Sequence, residues 1–113
     1  MEKDLERRTK RFALAVLRFS SALPRDRAAD VLAKQLIRSA TSVGANYREA
    51  NRAVSRADFK NKIGTVQKEA AETQYWLELL IESGLANESA TAVLAECSEL
   101  LAIFTSIGKK LSE

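Results

Sequence analysis

Apolar residues recur with a period near 3.6 along almost the whole chain, and no stretch of any length alternates as a strand does. This pattern predicts four helices, at residues 2–22, 25–53, 56–83 and 88–111. Each helix has an apolar stripe along one side that a core can cover. The stripes are Leu5, Phe12, Val16, Phe19 and Leu23; Leu32, Leu36, Ala40, Val43, Tyr47, Ala50 and Val54; Phe59, Ile63, Val66, Ala70, Leu77 and Ile81; and Ala90, Val93, Cys97, Leu100, Leu101, Phe104 and Leu111.

Residues between the four segments are typical helix breakers and caps. Pro24 ends the first helix and suits the first turn of the second. Ser55 is placed to cap the third helix, with Asp58 as an acidic variant of the capping box. Gly84 is expected to end that helix in the left-handed conformation, and Asn87 to cap the fourth. Short loops between amphipathic helices predict an all-α fold, an elongated antiparallel up-down-up-down four-helix bundle.

Length and composition indicate one globular domain over residues 1–113. A chain of this size buries a core without disulfides or metals, and 46% apolar with 29% charged residues is ordinary for such a domain. The single cysteine, Cys97, excludes an intrachain disulfide and favours a cytoplasmic setting. No apolar run approaches the roughly 18 residues of a membrane span, and the start "MEKDLERRTKR" does not resemble a signal peptide, so no membrane association is expected.

Charge is distributed unevenly along the chain. Residues 1–68 contain 16 Lys and Arg against 7 Asp and Glu, a net charge of +9. Residues 69–113 contain 2 against 8, a net charge of −6. The asymmetry indicates either an anionic partner for the first half or pairing of one half against the other, within a chain or between subunits.

Two stretches resemble a known bacterial family. Gln35-Leu36-Ile37-Arg38-Ser39 and Ser42-Val43-Gly44-Ala45-Asn46 lie in the second helix, and Glu69-Ala70-Ala71-Glu72-Thr73-Gln74-Tyr75-Trp76-Leu77 lies in the third. These motifs resemble those of the four-helix-bundle proteins called 23S rRNA intervening-sequence proteins, over roughly residues 10–110. One departure is Glu49-Ala50, where the family usually has Glu-Gly. The second helix is therefore expected to run on toward Ser55.

The resemblance carries implications that the residues alone do not. It implies an antiparallel bundle that assembles into a ring-like homopentamer. Some members are encoded inside insertions of large-subunit ribosomal RNA genes. A related branch serves as the accessory protein of diversity-generating retroelements, which implies a reverse-transcriptase-type protein as an alternative partner.

A basic stripe is predicted on the outer side of the second helix. At ~100° per residue, its members lie within about 80° of one another and opposite the apolar stripe. The stripe consists of Lys34, Arg38, Arg48 and Arg52, and the first helix adds Arg7, Arg11 and Arg18 on a common face. Such side chains can contact successive phosphates of structured RNA or DNA. The alternative is a solvated helix face with some cations paired to Asp or Glu.

A polar seam borders this stripe. It consists of Ser39, Ser42, Asn46 and Glu49, with Glu69, Glu72 and Thr73 of the third helix in position to face it. The favoured interpretation is structural, with interhelical hydrogen bonds that fix which helices are neighbours. The alternative is a small polar pocket.

The stretch "YWLELL" makes one end of the third helix apolar on nearly all sides. Tyr75, Trp76 and Leu80 fall outside the core stripe of that helix. Aromatic residues outside a core are typical interface anchors, so these three residues are predicted to lie at an oligomer interface. The alternative is a broad core within one chain.

No residues point to catalysis, to a cofactor or to a metal site. The chain has no His, its four glycines are isolated, and Cys97 lies on an apolar stripe as a small hydrophobic residue. Glu69 and Glu72 have no partner that would complete an acid–base site. The sequence therefore predicts a non-catalytic oligomer that binds structured RNA or DNA through its basic stripe. The alternative is a scaffold for a polymerase-type protein partner.

Overall fold

A computed structural model of the protein describes the backbone of residues 2–113 and the side chains of residues 4–113. It contains four helices, α1 (Glu2–Ser21), α2 (Arg27–Ala50), α3 (Arg56–Glu82) and α4 (Ser89–Ser112). Each helix contacts the next along the chain, and α1 also contacts α4. The molecule measures 45 × 21 × 21 Å, an elongated shape that follows from helices of 20 to 27 residues lying side by side.

Contacts near the helix ends show that neighbouring helices are antiparallel. The Asn51 side chain, which follows α2, donates to the Glu6 carboxylate near the start of α1, over 2.8 Å. Arg56, at the start of α3, donates to the carbonyl oxygen of Leu111 near the end of α4, over 3.2 Å. The predicted four-helix bundle is therefore confirmed.

The core lies where the four apolar stripes meet. Val16, Leu36, Leu77 and Phe104 are completely buried there, one from each helix. Tyr47 packs its ring against that of Phe104, with the two ring centroids 5.2 Å apart. Burial of large side chains from all four helices joins them into one unit, because each helix alone would leave its stripe in water.

The start of α3 has the cap that the sequence predicts. Ser55 Oγ accepts a hydrogen bond from the amide of Asp58, over 3.0 Å. The Asp58 carboxylate accepts in return from the amide of Val54, over 3.2 Å, one residue before the position that a standard capping box uses. This amide and the ammonium group of Lys62 hold the pKa of Asp58 below its ordinary value. Both interactions stabilise the ionised carboxylate.

The remaining caps follow the sequence in part, because the N-cap position of α4 is Glu88 and not Asn87. Asp26 accepts from the amide of Ala29 at the start of α2, over 3.1 Å. Gly84 has a φ of +81°, so the chain leaves α3 through the left-handed conformation that glycine adopts at least cost. Asn87 Oδ1 accepts from the amide of Ser89 at the start of α4, over 2.9 Å.

The second helix ends earlier than expected. It stops at Ala50, not at residue 53, and it begins at Arg27, two residues later than expected. Asn51 follows with its side chain bonded to Glu6 of α1, and the amides of Arg52 and Ala53 then bond three residues back instead of four, to Glu49 and Ala50. Val54, assigned to the apolar stripe, is 92% exposed as a result. The expectation that α2 runs on toward Ser55 is therefore wrong.

The fourth helix is more apolar than expected. The segment Ser89–Ser112 is long and apolar enough to cross a membrane by length and composition, with a mean hydropathy of 1.5, although core helices of soluble proteins pass the same test. The expectation that no such segment exists considered only unbroken apolar runs. Here alanines such as Ala95 and Ala102 add to the large apolar residues and raise the average, while hydroxyl side chains interrupt the apolar runs. In the described structure Ala90, Cys97, Leu100 and Phe104 of α4 are buried, and Val93, Leu94, Leu101, Ile107 and Leu111 pack against the core.

The early end of α2 can be tested by replacing valine with alanine at each of two positions of its predicted apolar stripe. Val43→Ala removes a completely buried side chain, so we expect it to lower the free energy of unfolding by about 2 kcal/mol. Val54→Ala removes an exposed one, so we expect a change within about 0.5 kcal/mol. Urea denaturation followed by circular dichroism measures both. Equal losses would mean that Val54 is buried and that α2 continues past Ala50.

Candidate nucleic-acid interface

The basic stripe of α2 is shorter than the sequence suggested. Lys34, Arg38 and Arg48 lie on the outer side of the helix and are exposed. Arg52 lies in the turn after Ala50, outside α2, and its side chain is also exposed. Its place in the stripe stays a prediction.

Arg38 is engaged by α3. Its Nη1 donates to Glu69 Oε1 over 3.2 Å, and its Nη2 donates to Glu72 Oε1. We call this arrangement the Arg38 clasp. The Glu72 hydrogen bond and then the Glu69 contact raise the pKa of Arg38 above its ordinary value. Arg38 was predicted to point away from its neighbours, but its long side chain spans the groove between the two helices while remaining 47% exposed.

Arg48 lies on the other side of α2, at a cleft beside α1. The cleft has a volume of about 200 Å³, and its lining includes Lys10, Thr9 and Gly44. A Cβ atom at Gly44 would lie 3.1 Å from Thr9 Oγ1, so glycine here lets α1 and α2 approach closely. Lys10 and Arg48 thus line the same cleft from two helices. The sequence analysis did not single out Lys10, because the spacing of residues along α1 does not show which helix each of its faces contacts.

The Arg48 side chain is held only weakly. Its Nε lies 3.9 Å from Glu6 Oε1, which is an ion-pair distance but too long for a hydrogen bond. Glu6 Oε2 accepts instead from Asn51. Arg48 is therefore free to turn toward an anion in solution.

The arginines predicted on α1 lie on a different side of the bundle. Arg7, Arg11 and Arg18 are exposed and form no ion pair with any side chain that the structure describes. They lie roughly 140° around α1 from Ala13, which lines the cleft, so they do not continue the α2 stripe directly. Lys10 lies between the two groups. Arg8, which the sequence did not single out, instead donates to Glu96 of α4 over 2.7 Å and to Glu99 over 2.9 Å.

The polar seam contains one buried contact between helices. Thr73 Oγ1 donates to Ser39 Oγ over 2.8 Å, and both residues are fully buried. Ser42 and Asn46 bond instead to backbone carbonyls of α2, and Glu49 is exposed. The seam therefore holds α2 against α3 through one hydroxyl pair.

The predicted interface residues of α3 separate into three environments. Tyr75 is 53% exposed, and Trp76 is partly buried against the core with its indole in edge contact with the Tyr75 ring. The buried Trp76 Nε1 has no hydrogen-bond partner among the described residues. Leu80 is completely buried inside the chain, so its assignment to an interface is wrong. This end of α3 packs against both α2 and α4, which widens its buried arc to include Leu80.

Cys97 and the acidic side chains lie in surroundings that indicate structural roles. Cys97 is buried, its Sγ lies 3.4 Å from the carbonyl oxygen of Ala70, and burial raises its pKa to about 12. A thiol with such a pKa stays protonated and non-nucleophilic near neutral pH. Within the described part of the chain, no three His, Cys, Asp or Glu side chains are grouped to hold a metal ion.

The separation of Tyr75 from Leu80 predicts unequal effects of truncation. Leu80→Ala should lower the free energy of unfolding by about 2–5 kcal/mol, because it leaves a cavity in the core. Tyr75→Ala should cost at most about 1 kcal/mol, because it removes only the edge contact with Trp76. Chemical denaturation at a fixed protein concentration compares the two variants. A small loss of unfolding free energy for Leu80→Ala would indicate that Leu80 lies at the surface.

Comparison with known proteins confirms the family resemblance. The family model described as "23S rRNA-intervening sequence protein" matches residues 2–106. A solved structure of a protein of unknown function from the S23 ribosomal protein family of Bacteroides thetaiotaomicron VPI-5482 is 38% identical to this chain. The match covers 96% of this chain and 99% of that one, with a TM-score of 0.85. None of the curated proteins compared matches. On the family match over nearly its whole length, this chain belongs to the 23S rRNA-intervening sequence protein family.

Proposed function

We propose that this protein is a non-catalytic, oligomeric accessory that binds structured RNA or DNA through the cations of α1 and α2. The observation that carries the proposal is a group of six exposed cations on these two helices, none of which has an acidic partner at hydrogen-bond distance among the described side chains. We call this set the basic face, and its members are Arg7, Lys10, Arg11, Arg18, Lys34 and Arg48. All are exposed, and among the described side chains only Arg48 has an acidic partner, at 3.9 Å.

Ion pairs made by acidic residues of α3 and α4 account for part of the charge asymmetry, and none of them involves a cation of the basic face. Glu96 and Glu99 of α4 neutralise Arg8, and Glu69 and Glu72 of α3 neutralise Arg38. Four of the eight acidic residues in the second half of the chain are used in this way. The basic face is not used in this pairing, and a duplex presents phosphates densely enough to contact several of its cations at once.

Binding through the basic face should be led by phosphate contacts. The face carries no aromatic stacking platform: the exposed aromatic side chain of the described chain, Tyr75, lies on α3. An oligomer would present several copies of the face and strengthen weak contacts by avidity. Such binding depends steeply on salt and only slightly on base sequence.

The test is fluorescence anisotropy of a labelled RNA hairpin titrated with the protein at several salt concentrations. The variant Arg7→Gln/Arg18→Gln/Lys34→Gln removes three cations of the basic face. We expect it to bind more weakly. The slope of log affinity against log salt should become shallower by about 3, because each lost phosphate contact removes about 0.9 from its steepness.

The matched control is Lys60→Gln/Lys68→Gln/Lys109→Gln, which removes the same charge from exposed positions on α3 and α4. It should leave the slope nearly unchanged. Absence of binding at low salt, or binding that salt does not weaken, would contradict the proposal. The basic face would then serve a protein partner of the polymerase or reverse-transcriptase type, which Leu14 and Leu17, each 41% exposed on α1, would also suit.

We also propose that the chain forms a homo-oligomer, a pentamer on the family resemblance. Support comes from the exposed aromatic surface at Tyr75 on α3. Tyr75→Glu should lower the native mass while helicity is kept, because it places a charge in a contact between subunits. Val54→Glu, at an exposed apolar position away from this surface, is the control. Native mass spectrometry distinguishes the cases, and unchanged mass for Tyr75→Glu would remove Tyr75 from the interface.

A further inference from the structure

The Arg38 clasp lies in the row of cations on α2, yet it is already occupied. All three guanidinium nitrogens have acceptors: Gln35 Oε1 for Nε, at 3.3 Å, Glu69 for Nη1 and Glu72 for Nη2. Lys34 precedes Arg38 by one helical turn on the same outer side. A polyanion that reaches Lys34 therefore meets an arginine that is bound to carboxylates.

The clasp remains open to solvent. The Arg38 side chain is 47% exposed and that of Glu72 is 35% exposed, whereas Glu69 is largely covered at 14%. Exposed ion pairs of this kind are weak enough to exchange for another anion. Arg8 differs, because its ion pairs with Glu96 and Glu99 lie between α1 and α4. It therefore adds no cation to the outer side of α2.

The backbone of α3 keeps both carboxylates close to Arg38 even when an anion displaces them from it. The buried contact between Thr73 and Ser39 holds α3 against α2 next to Arg38, and Thr73 Oγ1 also lies 2.7 Å from the backbone carbonyl oxygen of Glu69. Carboxylate and phosphate are equivalent acceptors for a guanidinium group. Glu69 and Glu72 therefore act as tethered competitors of phosphate, and their charges also repel it.

We infer that Glu69 and Glu72 are specificity-determining residues of the basic face, because they withhold Arg38 from any polyanion that presents phosphates sparsely. A duplex, which holds several phosphates at fixed positions beside Lys34, displaces the carboxylates and recruits Arg38. A flexible single strand binds to the other cations and leaves the clasp closed. This inference rests on the proposed function, and it names the class of nucleic acid that the site selects.

The test uses the variant Glu69→Gln/Glu72→Gln with two probes of equal length, an RNA duplex and a single-stranded RNA. The amide groups keep the shape but compete poorly for Arg38. For the single strand, we expect the salt slope to steepen by about 0.7, the value of one new phosphate contact on single strands. For the duplex, we expect about fivefold tighter binding at an unchanged slope, because the contact already exists and only its competitor is removed.

The control Glu78→Gln/Glu82→Gln changes the net charge equally at exposed positions of the same helix. It should alter both affinities less than about twofold. In an Arg38→Gln background, Glu69→Gln/Glu72→Gln should have no more effect than this control, because its action passes through Arg38. Glu72→Gln alone, at the more exposed carboxylate, replaces the double variant if circular dichroism shows that the latter is unfolded.

Two negative results have different meanings. Binding by the wild type that the clasp variant does not change beyond the control would overturn the inference and leave the proposed function standing. Absence of binding to both probes by the wild type and by every variant at low salt would overturn the proposed function, and this inference with it.

Discussion

A hydrogen bond between two buried hydroxyl groups, Thr73 Oγ1 to Ser39 Oγ, lies within the contact between α2 and α3. A shift of either helix by one turn would break this hydrogen bond, at a net cost of about 1 kcal/mol, while each hydroxyl would keep a carbonyl partner in its own helix. The bond therefore fixes the register of α2 against α3, the two helices with the most extensive mutual contact. Arg38 precedes Ser39, so the same register brings its guanidinium group to Glu69 and Glu72. Both the core contact and the surface clasp depend on this one alignment.

The fold followed from the sequence because helix period and cap chemistry are local properties. The apolar stripes predicted four helices, and Ser55 and Gly84 marked ends that the structure has. The end of α2 was not predictable in this way. The apolar spacing continues through Ala50 to Val54, but the amides of Arg52 and Ala53 bond three residues back, and the Asn51 side chain donates to Glu6, 45 residues away. Contacts between distant residues are not visible in a periodic pattern.

The candidate site was predictable in composition but not in arrangement. Helix geometry placed Lys34, Arg38 and Arg48 on the outer side of α2, where the structure has them. It could not show that Arg38 reaches α3 while Arg48 faces α1, because side chains of this length cross the groove to whichever helix lies beside it. For the same reason an apolar end of a helix does not reveal which sides are core. Leu80 was assigned to the surface on these grounds and is buried.

The charge asymmetry between the two halves of the chain now has two components. Acidic side chains of α3 and α4 neutralise Arg8 and Arg38, which ties distant parts of the bundle together. We propose that the exposed cations of α1 and α2 form the surface that contacts an anionic partner, whereas the exposed lysines of α3 contribute charge but do not belong to that surface.

The most direct measurement of this claim is the rate of acetylation of individual lysines, read by mass spectrometry, with and without duplex RNA at low salt. The account predicts that RNA protects Lys10 and Lys34, while Lys60 and Lys68 of α3 react at the same rate in both conditions. Protection of Lys60 and Lys68 with Lys10 and Lys34 unprotected would place the binding surface on the opposite side of the bundle and contradict the account.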